Sequence, residues 1–478
     1  MPLLYRGLAP VPPEDKVTWA RLTLLIERFE PVTVGVINGS RWLGSDARAI
    51  GIARASGDEE LFARSLQPWD LWDREWTDHL SNLIATWQNP GAIIRALTVS
   101  GADWLYHHGE FRRARSHFEN LLMIAERYGS VPGQAEATVR LGFIHAVLGD
   151  LVEAHGWEVR ATSLVERLGR GHRLHASLWW LRAILCDIDG GDWTGIAGFL
   201  VPYISDPMVG RRTIAFDDAA LAALALAKSG HAGQARVLLT PLVRILDELE
   251  PTLWLLNGTV GYAASAVWTL HADEFAAKLH QCALAVIEAG HDDFPGSSTF
   301  LTIARMAGQM GNTGEAGGWF ERARRHLEIS GQRPLRAIVD LDEATLLAGG
   351  TFAERNAALE LARVARNGFV ALGMTTWAAR ATALIDALER WMREAHTVPA
   401  GLTQRELEVV RLVARGHSDR QIGDGMFVSP RTVNAHVRNI LTKTKLKNRT
   451  ELSIWAVEHG LVRADHGPRS RSASNPSP

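Results

Sequence analysis

Small turn-forming residues recur at a near-constant interval along most of this chain, and that periodicity constrains the fold more than any other feature. Gly109, Gly149, Gly191, Gly230, Ala272, Gly311 and Gly350 lie 40, 42, 39, 42, 39 and 39 positions apart, each between amphipathic helical segments. Alanine follows five positions after most of them, at Ala114, Ala154, Ala235, Ala277 and Ala316, while Ile196 and Arg355 hold that place in the other two. Glycine ends one helix in a conformation that other residues resist, and alanine lets the next helix approach closely, so each unit reads as a helical hairpin. One hairpin cannot bury its own apolar stripe. Stacked copies can, and the expected fold is all-α: an α-solenoid with a continuous core and a long groove.

The stretch Gly149-Asp150-Leu151-Val152-Glu153-Ala154 resembles the turn of a tetratricopeptide repeat, although the period exceeds the 34 residues of the standard unit. Residues of roughly 90 to 395 accordingly resemble long tetratricopeptide-like repeats, and Gly57-Asp58-Glu59-Glu60-Leu61 reads as a further, irregular turn that extends the array upstream to about residue 45. Behind that turn Trp69, Trp72, Trp76, Leu80, Leu83 and Trp87 form one stripe, read as core packed on the next hairpin. Residues 1–44 have no legible pattern beyond a short strand-like run from Val32 to Ile37. Residues 396–401 break the helical pattern as a linker, 402–463 form a separate domain, and the Pro/Ser-rich tail 464–478 reads as disordered.

Charge separates the two parts. The whole chain carries a net charge of -2, but residues 401–478 hold 13 Lys and Arg against 7 Asp and Glu, whereas the first 400 residues are net acidic. The basic end is the candidate nucleic-acid surface. The only two cysteines, Cys186 and Cys282, allow neither a disulfide framework nor a Cys-based zinc site, and read as buried thiols of a reducing compartment. Arg6 and two prolines interrupt the opening segment where a secretory signal needs an apolar core, and the longest apolar run, Ala219 to Ala227, is too short for a bilayer. The expectation is a cytoplasmic protein without membrane association.

Residues 402–460 contain four helix starts, each with its own capping chemistry. Thr403 and Glu406 form a capping box, with Leu402 and Leu407 as its hydrophobic staple; Ser418 and Gln421 repeat the box after Gly416 ends the first helix. Ser429 caps the third helix with Pro430 at its first position, and Asn448 with Glu451 marks the fourth. Only Phe427 and Val428 separate Met426 from the third cap, the tight connection a helix-turn-helix needs. In the third helix Val433, Val437, Ile440 and Thr444 share one face, and Arg431, Asn434, Ala435, Arg438, Thr442 and Lys445 the other. The second face suits a major groove. Arg438 can grip guanine O6 and N7, Asn434 can pair with adenine, and Ala435 can approach a thymine methyl. Arg431, Thr432, Lys443 and Lys445 are placed for phosphates, which add salt-dependent affinity but little discrimination.

These motifs, from Leu402-Thr403-Gln404-Arg405-Glu406 through Ser429-Pro430-Arg431-Thr432-Val433 and His436-Val437 to Asn448-Arg449-Thr450-Glu451-Leu452, resemble the LuxR-type helix-turn-helix over about 60 of the 478 residues. The resemblance implies a transcription regulator that binds double-stranded DNA as a homodimer, reads bases through Asn434, Ala435 and Arg438, and acts with RNA polymerase. It also implies pairing of subunits through the fourth helix, at Leu452, Trp455 and Ala456, with a place in the core as the alternative for Trp455. Three departures stand out. Gly423 and Gly425 lie inside the second helix, where each costs about 1 kcal/mol relative to Ala, and Thr444-Lys445 replaces a usual Leu-Gly pair.

A LuxR-type terminus behind helical repeats resembles the large ATP-binding regulators, but no G-x-x-x-x-G-K-[ST] occurs, and Lys228-Ser229 sits at a helix end. Nor is a phosphoacceptor domain expected before the repeats. No H-E-x-x-H, G-x-S-x-G or paired-cysteine site appears, His172 and His175 find no third ligand, and His291-Asp292-Asp293 reads as a solvated loop, so neither an enzyme nor a cofactor is expected. Trp104, Trp179, Trp180, Arg182, Trp254, Tyr262 and Trp268 are either core or the lining of a groove for a protein, peptide or small-molecule effector. The rival reading of the whole chain is an interaction scaffold with a weak or vestigial DNA-binding domain.

Overall fold

A left-handed backbone residue ends nearly every helix of the repeat region: Gly109, Gly129, Gly149, Gly169, Gly190, Gly230, Gly290, Gly311, Gly331 and Gly373 have φ between 60° and 86°. At Gly149 the following Asp150 N–H bonds back to the His145 carbonyl at 2.8 Å, and the same closure recurs at His231 to Leu226 and Asn312 to Ala307. These bonds satisfy carbonyls that a helix end leaves open. The periodic residues Gly109, Gly149, Gly230 and Gly311 are thus members of a longer series in which Gly129, Gly169, Gly290, Gly331 and Gly373 end the second helices of their hairpins.

The computed structural model describes residues 12, 15–29, 47–66, 74–106, 108–169, 174–205, 215–246, 255–290, 293–396, 401–459 and 461–462. The run Val32 to Ile37, and Trp69, Trp72, His172 and Trp254, lie outside the described residues, as does the side chain of Trp76. The fold is all-α. Two compact units, 1–385 and 386–478, divide the chain. In the first, consecutive helices pair as hairpins: Pro90–Tyr106 with Phe111–Arg127, Val131–Leu148 with Leu151–Arg167, Leu174–Asp189 with Trp193–Ser205, and Ala215–Lys228 with Ala232–Ile245. Leu255–Leu270 with Ala276–Glu288, Thr299–Gln309 with Thr313–Ser330, and Arg333–Leu347 with Phe352–Leu372 continue the series, followed by Thr375–His396. The last helix runs through His396, so the helical pattern persists past Ala395.

Ala114, Ala154, Ala235 and Ala316 are fully buried at the start of their second helices, where a larger side chain would hold the two helices apart. The register shifts in three hairpins. At the third turn Gly190, not Gly191, is left-handed, and one extra residue before Trp193 brings Ile196 into the core. At the fifth turn His271 takes the left-handed place at φ 48°, so the buried alanine five positions on is Ala276, and Ala277 is exposed. The seventh turn ends without a left-handed glycine: Thr351 starts the next helix with a capping box to Glu354, and Arg355 Nε donates to the Gly350 carbonyl at 2.9 Å.

The array curves until distant helix ends meet. Arg333 Nε donates to the Leu148 carbonyl at 2.6 Å and its guanidinium pairs with Asp150, while Trp377 Nε1 donates to the Asp187 carbonyl at 2.6 Å. His291 and Asp292, read from the sequence as a solvated loop with Asp293, lie outside the described residues, and directly after them comes an element inside the curve that no sequence pattern marked. Asp293–Phe294 and Ser297–Ser298 form a two-residue antiparallel hairpin, with Phe294 and both serines buried. Phe294 packs 5.4 Å from Tyr106, 6.0 Å from Trp180 and 6.2 Å from Tyr262, measured between ring centroids. Gly258 and Gly261, one turn apart on Leu255–Leu270, make the slot: a Cβ at 261 would lie 1.9 Å from Ser297 Oγ, and one at 258 would lie 3.1 Å from the Phe294 ring. Among the described residues the hairpin therefore fills the part of the interior bounded by Tyr106, Trp180 and Tyr262.

The second unit has its own core, formed by Leu402, Leu407, Val409, Val410, Val413, Ile422, Met426, Val433, Val437, Ile440, Leu452 and Ala456. No helix among the described residues of either unit is long and apolar enough to cross a membrane.

Candidate nucleic-acid interface

Four helices build the second unit's basic surface: Gln404–Ala414, Asp419–Met426, Pro430–Thr444 and Arg449–Glu458. Each starts at the cap expected from its sequence. Thr403 with Glu406 and Ser418 with Gln421 form complete capping boxes, the Ser429 hydroxyl accepts from the Thr432 N–H, and the Asn448 side chain accepts from the Glu451 N–H. Such caps fix where the chain changes direction, which sets the angle at which the third helix leaves the turn.

That turn is narrower than two connecting residues require by count alone. Phe427 is left-handed at φ 54° and almost wholly exposed, and the Val428 N–H closes on the Gly423 carbonyl at 3.0 Å. A Cβ on Gly423 would stand 2.7 Å from the Val428 carbonyl oxygen, whereas nothing lies within 4 Å of one on Gly425. Gly423 thus has a packing reason for its missing side chain, and Gly425 has none. The other departure also resolves. Lys445 adopts φ 59°, the conformation a glycine would supply, and the Leu446 N–H bonds to the Leu441 carbonyl at 3.1 Å. Lys445→Gly and Gly425→Ala are each expected to stabilise the second unit by about 1 kcal/mol, with Gly423→Ala destabilising it. Urea unfolding of the three variants checks the order.

Val433, Val437 and Ile440 of the third helix are buried against the first two helices. Asn434, Ala435 and Arg438 point to solvent together with Arg431, Thr432, Thr442 and Lys445, and Pro430–Thr444 contains no carboxylate. Arg431 and Arg438 have no ion-pair partner among the described residues. Three of the predicted contact residues are engaged within the domain, one of them Thr432, whose hydroxyl shares a hydrogen bond with that of Ser429 at 2.8 Å. The Asn434 side-chain amide donates to Asp419 at 3.3 Å, and Asp419 in turn pairs with Arg449, which also donates to the His417 carbonyl. Lys443 Nζ sits 2.7 Å from Glu406, so one of the four expected phosphate ligands ties the end of the third helix to the start of the first. The Asp419–Arg449 link was not legible in the sequence, because its partners are 30 residues apart and carry no motif.

Glu406 feels opposing effects. Burial raises its carboxyl, but hydrogen bonds from Lys443 and from the Thr403 backbone and hydroxyl outweigh that and hold it below the ordinary glutamate value. A carboxyl depressed on folding stabilises the domain at pH above the unfolded value, about 4.3 for Glu, and that contribution is lost as pH falls through the lower folded value. Glu406→Gln keeps the capping box but removes the charge. Acid unfolding of the second unit is expected to depend less steeply on pH in that variant, and an unchanged slope would assign the dependence to other groups.

The fourth helix needs a correction. Leu452 and Ala456 have no exposed surface, and Trp455 is half-buried with its ring stacked on His459 at 4.3 Å. A side chain enclosed by its own core cannot also face a second subunit. The apolar side chains this helix presents outward are Ile454 and Val457.

Four capped helices, a closed tight turn and a carboxylate-free outer face on the third helix coincide within one segment. Residues 400–456 match the family of bacterial regulatory proteins, luxR family. This segment is a LuxR-family DNA-binding domain. Over 61 residues the chain is 39% identical to response regulator protein VraR of Staphylococcus aureus (strain Mu3 / ATCC 700698), a match covering 13% of this chain and 29% of that protein. The same figures hold for response regulator protein VraR of Staphylococcus saprophyticus and of Staphylococcus epidermidis. The chain thus covers less than a third of the length of these relatives, and the likeness is confined to the LuxR-family domain.

In the first unit, Trp104, Trp180 and Tyr262 are buried, with Trp180 Nε1 donating to Asp218 at 2.6 Å and the Tyr262 hydroxyl donating to the Pro295 carbonyl at 2.6 Å. Trp179 stacks on Phe199 and beneath Arg182, whose Nε donates to Glu158, and Trp268 is half-buried. His175 Nε2 lies 2.9 Å from the Gly169 carbonyl, and no group of three or more metal-ligating side chains occurs among the described residues. Both cysteines are free; burial pushes the Cys186 thiol up to about 12 and raises that of Cys282 as well.

Proposed function

We propose that this chain is a sequence-specific transcription regulator whose LuxR-family domain inserts the helix Pro430–Thr444 into the major groove of double-stranded DNA. The single observation that carries this reading is the exposed, carboxylate-free face of that helix, on which Asn434, Ala435 and Arg438 stand together. Arg438 reads guanine, Asn434 exchanges its bond to Asp419 for one to adenine, and Ala435 contacts a thymine methyl. Arg431, Thr432 and Lys445 hold phosphates, and Lys443 joins them only by leaving Glu406. A homodimer on DNA would pair through Ile454 and Val457 instead of Leu452 and Ala456. The repeats serve as the unit that senses a small molecule or binds a protein, coupling the domain to RNA polymerase.

Selection of genomic DNA fragments by the purified chain at near-physiological salt tests the reading, with Arg438→Ala as the control. Recovery of one shared motif that the variant fails to enrich supports a regulator. Equal recovery by both proteins, without a motif, would favour the scaffold alternative.

A further inference from the structure

The closure of the repeat array brings two pairs of arginines into the lining of one trough. Arg112 and Arg115 are three apart on Phe111–Arg127, and Arg333 and Arg336 are three apart on Arg333–Leu347, so each pair projects from one side of its helix. Together with Leu148, Asp150, Leu327, Glu328 and Gly331 they line a trough of about 380 Å³. That volume lies in the range of small-molecule sites. Four guanidinium groups and two carboxylates line it; Asp340 and Glu119, beside the lining, pair with two of the arginines, so Arg112 is the one arginine of the four without a carboxylate partner among the described residues.

The partners of these arginines show which are held and which are available. Arg333 is fixed by Asp150 and the Leu148 carbonyl, and Arg336 pairs with Asp340 and lies 3.8 Å from Glu328. These two form a braced wall. On the other helix Arg115 has only Glu119, at 3.5 Å, and Arg112 has no ion-pair partner among the described residues. Placing an uncompensated arginine in one trough with two fixed ones concentrates positive potential in a concave site.

We propose that this trough binds a small multivalent anion, a phosphate-bearing metabolite with at least two negative charges, gripped between Arg112 and Arg115 on one side and Arg333 and Arg336 on the other. Guanidinium forks match phosphate oxygens in bidentate geometry, and a single phosphate spanning both helices would add a link between segments far apart in sequence. The ligand would stabilise the closed array by mass action. The proposal names the ligand class for the sensing role suggested above, but the binding itself does not require that the chain recognise DNA.

Pyrophosphate and inorganic phosphate serve as probes, titrated calorimetrically into the full chain and into an R112A/R115A double variant, which leaves the pairs that close the array untouched. Saturable binding of one pyrophosphate per chain is expected, tighter than inorganic phosphate, and weakened at least 10-fold in the variant. An R112K/R115K variant, keeping charge without the fork, should fall between them, and unchanged circular dichroism shows that both variants fold. No saturable heat, or equal affinity in R112A/R115A, overturns the proposal. So does a variant that loses DNA affinity while the wild type binds no pyrophosphate, because the trough would then be a DNA backbone contact. Motif recovery by Arg438→Ala is a separate readout, so failure of the anion site and failure of the DNA reading are distinguishable.

Discussion

Arg438→Ala is expected to reduce affinity for the chain's preferred DNA site by roughly 5- to 150-fold, the loss of about 1–3 kcal/mol for one bidentate guanine contact. The side chain is exposed on the outer face of Pro430–Thr444, and the same helix holds to its domain through Val433, Val437 and Ile440 on the opposite face. No ion pair among the described residues is broken by the change, so the melting temperature should stay within the spread of ordinary surface substitutions. Weak binding to unrelated sequence should persist, because Arg431, Thr432 and Lys445 are unaltered. Fluorescence anisotropy on the selected site and on a shuffled duplex, at two salt concentrations, separates these effects. Equal losses on both duplexes would make Arg438 a phosphate ligand and move base reading elsewhere on the helix.

Asn434 sharpens the comparison. Its amide bond to Asp419 means that reading an adenine exchanges one hydrogen bond for others, so its net contribution is smaller than that of an unpaired arginine. The sequence shows which residues share the outer face, since that follows from helical period, but not which of them are already occupied. Lys443 illustrates the same limit: it lies three turns from Pro430 on a basic helix, and only the fold reveals Glu406 beneath it.

The elements legible from the sequence are those with a local cause. Capping boxes, the left-handed glycines and the buried alanines each act within a few residues, which is why the hairpins and the four helices of the second unit could be placed in advance. Register errors arose where another residue took a glycine's role: His271 at a left-handed turn moved the buried position from Ala277 to Ala276. Long-range consequences were not legible. Asp293 to Ser298 has the composition of an exposed turn, with Pro295 and Gly296 at its tip, and only Gly258 and Gly261 on a helix more than thirty residues upstream open the slot that accepts it. The partner surface that the family resemblance implies at Leu452 and Ala456 meets the same limit, since a resemblance does not state what this chain's own core covers.

The hairpin in that slot carries the largest stability effect expected in the first unit. Phe294 is buried among Tyr106, Trp180 and Tyr262, contributed by three different helices, so Phe294→Ala leaves a cavity that none of them can fill alone. Truncation of a buried phenylalanine costs about 3–5 kcal/mol. A loss of that size should shift the urea midpoint of the first unit, followed by tryptophan fluorescence, to markedly lower denaturant. Phe294→Leu, which retains most of the apolar volume, should cost less than the alanine variant. The alternative is a hairpin that rests in the interior without supporting it, in the manner of a removable plug. Satisfied polar contacts argue against that arrangement: the Tyr262 hydroxyl donates to the Pro295 carbonyl, and the Thr299 hydroxyl just after the hairpin donates to Asn257 at 2.7 Å. Withdrawing the hairpin would leave those buried groups unpaired as well as opening the aromatic cluster. A cost below about 1 kcal/mol for Phe294→Ala would contradict this and return that part of the interior to the status of an open groove.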